Sequence, residues 1–140
     1  MTPEQSLRVK SLVDRSDVFN YVIDHLRAQG ERSIFFGRNG ETCAYRGTDL
    51  VLGVKETMCA VGALITDDEY DPTWEGAAVE ELVIIPDLPA SLRTRLNAHF
   101  EMLIDLQLFH DMQMWYTEEG VFTQHAEKIV ARLREKWNIK

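Results

Sequence analysis

Apolar positions along the chain fall into short periodic runs separated by polar turns. Val18, Phe19, Val22, Ile23 and Leu26 recur at helical spacing, and Gly30 stands where a left-handed residue would end that helix, with Ser16 as its expected cap. A shorter helix is predicted before it, opened by Thr2-Pro3-Glu4-Gln5 and running to about Asp14, because a capping hydroxyl followed by first-turn proline is a helix start. Ser33 to Phe36 and Glu41 to Arg46 read as two short strands joined by the turn Arg38-Asn39-Gly40. The run Leu50-Val51-Leu52-Gly53-Val54 fits a strand or a loop equally. Thr57 to Ile65, rich in small residues, reads as a short helix packed closely on a neighbour; its Gly62 costs about 1 kcal/mol against alanine and so implies a packing reason. Asp71-Pro72 opens a helical turn, and Ala77 to Ile85 is a brief helix ended by Pro86. From Pro89 or Ser91 to about Met112, Leu92, Leu96, Phe100, Leu103, Ile104 and Leu108 describe one apolar helix face. Phe122, Ala126, Ile129, Val130, Leu133 and Trp137 give a last amphipathic helix after a break near Gly120. The expected fold is α+β, mainly α: one helical domain over residues 1–140 with a small β-hairpin.

Composition agrees with a folded domain: 140 residues, 45% hydrophobic and 27% charged. The apolar stretch Cys59 to Ile65, even with Met58 before it, is far below the ~20 residues that span a bilayer, so no membrane partner is expected. The polar start Met1-Thr2-Pro3-Glu4-Gln5 lacks the pattern of an export signal, which points to the cytoplasm and to reduced thiols at Cys43 and Cys59. Charge alters the picture more. The formal net charge is -8. Both flanks are neutral, and the whole excess lies between residues 51 and 90, where Lys55 is the one base among nine acids. Such a segment repels phosphate, so direct nucleic-acid binding is not expected. If Asp67, Asp68, Glu69, Asp71 and Glu75 project outward together, they form a docking surface for a basic host protein; the alternative is a solvated acidic loop.

Established chemical motifs are absent. Cys43, Cys59, His25, His99, His110 and His125 include no close ligand pair, and the order of Asp67 to Asp71 with Glu75 does not fit a calcium loop, so neither a metal nor a cofactor is expected. Phosphate-loop, dinucleotide and nucleophile-elbow patterns are missing too. Cysteine catalysis would need Cys43 or Cys59 brought to His110 or His125, with Asp111 orienting the imidazole; otherwise each cysteine is a small buried hydrophobe. Tyr45-Arg46-Gly47 offers an arginine beside an aromatic ring, suited either to grip a charged ligand or to anchor the hairpin to the acidic segment. Gln107, His110 and Asp111 share one helix end and are candidate ligand contacts, or else an internal hydrogen-bonded network.

Taken as a set, Cys43-Ala44-Tyr45-Arg46-Gly47, Cys59-Ala60-Val61-Gly62-Ala63-Leu64-Ile65, Asp67, Tyr70-Asp71-Pro72, Glu75-Gly76, Leu106-Gln107 and His110-Asp111 resemble a group of small phage and prophage proteins of uncharacterised function. The resemblance covers about half the chain. Met58 and Thr66 depart from its pattern, which carries lysine and proline there, and Thr48 to Thr57 is longer. It implies a mobile genetic element as the source and no reaction. The expected function is therefore that of an accessory, counter-defence binding module, engaging a host protein through the acidic segment or sequestering a small charged ligand near Tyr45 and Arg46. A small cysteine/histidine hydrolase or transferase is the alternative, and self-association stays open.

Overall fold

Thr2 starts the first helix as its sequence predicts: its hydroxyl accepts from Gln5 N at 3.1 Å while Gln5 Oε1 accepts from Thr2 N, a closed capping box worth about 1 kcal/mol. The structure, a computed structural model, describes residues 1–38, 40–49, 53–112, 115–117 and 119–140. Its helices are α1 (Pro3–Ser11), α2 (Arg15–Gln29), α3 (Val79–Leu82), α4 (Ala90–Ala98), α5 (Phe100–His110) and α6 (Gln124–Lys136). Its strands are β1 (Ile34–Gly37), β2 (Gly40–Cys43), β3 (Gly47–Thr48) and β4 (Glu56–Thr57). The chain is α+β and mainly α.

β1 and β2 form the expected antiparallel hairpin, registered from Ile34 opposite Cys43 to Gly37 opposite Gly40. The turn residue Asn39 and the ambiguous Leu50, Val51 and Leu52 lie outside the described residues. β2 ends at Cys43, so Tyr45 and Arg46 sit in the bend after it rather than in the strand. β3 and β4 make a second two-stranded ladder that the periodicity did not reveal, since two residues per strand leave no alternation to read.

α2 begins earlier than Ser16, with Asp14 at its cap position; the Ser16 hydroxyl instead accepts from Lys140 N. It ends where expected. Gly30 has φ 74°, and a β-carbon there would fall on the carbonyl of Gly120, itself at φ 75°. The long C-terminal helix predicted to Met112 is two helices, broken at His99 (φ -131°, ψ 28°). The break rotates the buried face: Met102, Leu103, Leu106 and Phe109 enter the core while Leu108, counted on the apolar face from sequence, is left exposed. α6 is tied on by Asp105 of α5, which accepts from Lys136 Nζ and Trp137 Nε1, and by Asn20 of α2, which accepts from Arg134.

One hydrophobic cluster joins α2, the 59–65 segment, α4, α5 and α6. Among the described residues, no helix is long and apolar enough to cross a membrane. Residues 57–66 are buried throughout, but only Gly62–Leu64 forms a single 3-10 turn, where a longer helix was expected. An irregular buried segment leaves backbone groups without ladder partners, and each must be satisfied some other way. Long polar side chains do this. Gln29 exchanges two hydrogen bonds with Met58, Gln107 Oε1 accepts from Val61 N, Arg46 donates to Gly62 O and Ile65 O, Arg95 donates to Leu64 O, and Glu69 Oε1 accepts from Thr66 N. Gly62 has the packing reason its cost implied, because a β-carbon there would lie 2.5 Å from Tyr45 O.

Candidate functional site

The acidic segment is largely consumed by that cage. Arg46 places all five of its N–H bonds: Nη1 on Tyr45 O and Gly62 O, Nη2 on Ile65 O and Asp67 Oδ1, and Nε on Asp67 Oδ1. Its guanidinium also lies over the Tyr70 ring, 5.1 Å from the centroid. No donor is left for a ligand, so Arg46 is an internal anchor and not the anion grip that was one of its two sequence readings. Asp67 additionally takes the N-terminal ammonium at 2.9 Å. Burial would raise its pKa, but the hydrogen bonds from the ammonium and Arg46 bring it below the ordinary carboxylate value.

Glu69 is buried against Arg95 at 2.9 Å, with both side chains about 5% exposed, so it cannot belong to an outward surface. Its hydrogen bonds from Arg95 and Thr66 outweigh burial and hold its pKa low. Asp68 is exposed yet paired with Lys10 at 2.9 Å, and hydrogen bonds from Lys10 and Thr66 take its pKa down to about 2. Asp71 caps the Pro72–Trp74 turn through Thr73 N. Glu75 accepts from the successive backbone amides of Tyr45 and Arg46 and from the Tyr70 hydroxyl. The five carboxylates assigned to a docking face thus serve local bonds, and a shared outward projection is not what the structure places there.

The other candidate set converges differently. Tyr45, Gln107 and Asp111 line a cleft of about 400 Å³ between β2, α3 and α5. Its apolar part comes from Val61, Ala78, Val79, Ile104, Leu108 and the Tyr45 ring, whose hydroxyl donates to Ala77 O. A cavity of about 210 Å³ adjoins it across the shared residues Glu41, Thr42, Cys43 and Asp111, and is lined as well by Arg32, Ser33 and His110. Arg46 lines neither.

His110 is buried and fixed on both nitrogens. Nε2 accepts from Ser33 N at 2.9 Å, which requires the proton on Nδ1, and Nδ1 then donates to Asp111 Oδ1 at 2.8 Å. Gln107 Nε2 donates to the same Asp111 oxygen at 3.0 Å. Asp111 does orient the imidazole, but the nitrogen a general base would use is occupied by a backbone amide. Cys59 is fully buried, and burial, together with the neighbouring Cys43 thiol, pushes its pKa well up, the reverse of an activated nucleophile. Cys43 is half-buried on the cleft wall. His125 packs against the Trp115 ring at 5.0 Å. Among the described residues, no three His, Cys, Asp or Glu side chains are placed to hold a metal ion.

Sequence reading missed Glu41, Glu80, Glu81 and Leu108 as cleft residues. The Glu80-Glu81 pair was visible only as part of a charge run, and Leu108 only as a core residue; their shared position depends on the break at His99 and on the placement of α3 against β2. In comparisons with protein families, curated proteins and solved structures, this chain matches none.

Proposed function

We propose that the protein is a non-enzymatic binding module that sequesters a small charged ligand in the cleft between β2, α3 and α5. The observation that carries this reading is the cleft: a concave site of ligand size, with apolar walls and a few polar groups held in fixed directions. Gln107 is anchored by Val61 N, and Asp111 by His110 and Gln107, so those polar groups are preorganised before any ligand arrives. The hydrolase alternative has weaker support, because the His110 base position is filled and the Cys59 thiol is buried. Docking of a basic protein on Asp67, Asp68, Glu69, Asp71 and Glu75 has weaker support too, given their internal partners. The resemblance to phage and prophage proteins supports an accessory role for a mobile element, in which sequestering a small molecule would counter a host defence.

Ala78 is exposed on the cleft wall, so Ala78→Trp fills the cleft without replacing a core residue. Ligand-induced rises in Tm across a panel of small cations, zwitterions and anions are expected for the parent chain and are expected to vanish in Ala78→Trp, whose own Tm stays within about 3 °C. A panel that gives no shift, or an Ala78→Trp chain that binds as well as the parent, overturns the reading.

A further inference from the structure

The cleft reading leaves the sign of the ligand's charge undetermined, and the lining supplies it. Four carboxylates border the cleft from three parts of the chain: Glu41 on β2, Glu80 and Glu81 on α3, and Asp111 at the end of α5. No lysine or arginine is among its described lining residues. Glu41 is answered from the adjoining cavity by Arg32 at 2.8 Å. The Asp111 carboxylate takes neutral donors, Gln107 and the Nδ1–H of His110, while Arg32 reaches the Asp111 backbone carbonyl at 3.4 Å. Glu81 has one long contact, 3.4 Å from Ala78 N, and Glu80 has no ion pair among the described residues. The end of α5 that meets the cleft is its C-terminus, the negative pole of the helix dipole. Beneath this rim the surface is apolar: Val61, Ile104, Leu108 and the Tyr45 ring.

We infer that this cleft selects a small organic cation, an ammonium or guanidinium group carried on a compact apolar body. The cationic head sits against Glu80 and Glu81, which have no ion pair among the described residues, on the side of the rim away from Arg32, and the apolar body covers Ile104 and Leu108, removing the exposed leucine side chain from water. An anion of the same shape meets the same carboxylates at close range and is excluded. The inference rests on the cleft reading above and adds to it the chemistry of the ligand.

An isosteric series tests it: 2-phenylethylamine, 2-phenylethanol and 3-phenylpropionate, titrated by calorimetry and by amide NMR shifts on the full chain. The amine is expected to bind about ten-fold more tightly than the alcohol, the carboxylate to give no measurable binding, and amine affinity to fall several-fold from low to high salt. Glu80→Gln with Glu81→Gln is expected to weaken the amine about ten-fold and leave the alcohol unchanged, with Tm held within about 2 °C because neither side chain is buried. If the alcohol or the carboxylate binds as tightly as the amine, or the double variant binds the amine as the parent does, the cation inference is overturned while the cleft reading stands. If no member of the series moves resonances of Cys43, Gln107 or Leu108 and the wider panel above is also silent, both fall together.

Discussion

Around the buried 57–66 segment each nearby acid has a cation or a row of amides against it: Asp67 against Arg46, Asp68 against Lys10, Glu69 against Arg95, and Glu75 against two successive backbone N–H groups. Around the cleft, Glu80 and Glu81 come from the same acidic stretch of sequence and face apolar surface with little to neutralise them. The difference follows from what each group of carboxylates was folded against. Arginines that reach into the core to satisfy carbonyls bring their charge with them, and the acids beside them neutralise it. At α3 the arginine that serves backbone, Arg93, reaches Val83 O and Ile85 O past the end of the helix and makes no ion pair with Glu80 or Glu81 among the described residues. Formal charge along a sequence is therefore a poor guide to surface potential where arginines serve buried backbone.

The sharpest way to break this comparison is to remove an acid from the caged side. Glu69→Ala leaves Arg95 buried without its carboxylate and is expected to cost about 3–5 kcal/mol in urea unfolding. A loss below about 1 kcal/mol would mean the pair is not the buried bridge described. Arg46→Ala comes next, at about 2–3 kcal/mol, because Ile65 O loses its arginine donor, Asp67 loses its guanidinium partner, and Gly62 O keeps only the Ile65 amide. Binding of 2-phenylethylamine should stay within two-fold in that variant wherever it folds, and a ten-fold loss would place Arg46 in the site after all. The smallest effect expected is in acid. Glu69 has a folded pKa below its unfolded value, so its contribution is complete above the unfolded value of about 4.3 and is lost as pH falls through the folded one. Chemical denaturation between neutral pH and pH 3 should show that acid limb, and Glu69→Gln should flatten it while lowering stability at neutral pH. An unchanged limb would show that the Arg95 pair does not set it.

Much of the frame was legible because it is local. The Thr2-Pro3 start, the α2 face with its Gly30 stop, the β1–β2 hairpin and α6 each follow from spacing and end signals within a few residues. The 57–66 segment was not, since small apolar residues suit a helix as well as they suit a buried irregular strand, and what decided between them was a set of side chains from Gln29, Arg46, Arg95 and Gln107. The break at His99 escaped notice for a related reason: its imidazole lies against Val13 O at 2.9 Å, a contact far away in sequence. Of the candidate ligand contacts, Gln107, His110 and Asp111 were readable as one helix end, whereas the rest of the cleft depended on α3 coming to face α5.

Gly30 and Gly120 have a bearing beyond stability. Where α2 ends, the carbonyl of Gly120 fills the place a β-carbon at Gly30 would take, and Gly120 is itself held at a positive φ. At both positions the dihedral is an obstacle, and at Gly30 space is a second one, so ordinary drift at either would pry the loop before α6 away from its seat. A diverged descendant that keeps this architecture should retain both glycines after its helix faces have changed past recognition, which makes the pair a fingerprint by which remote kin could be traced.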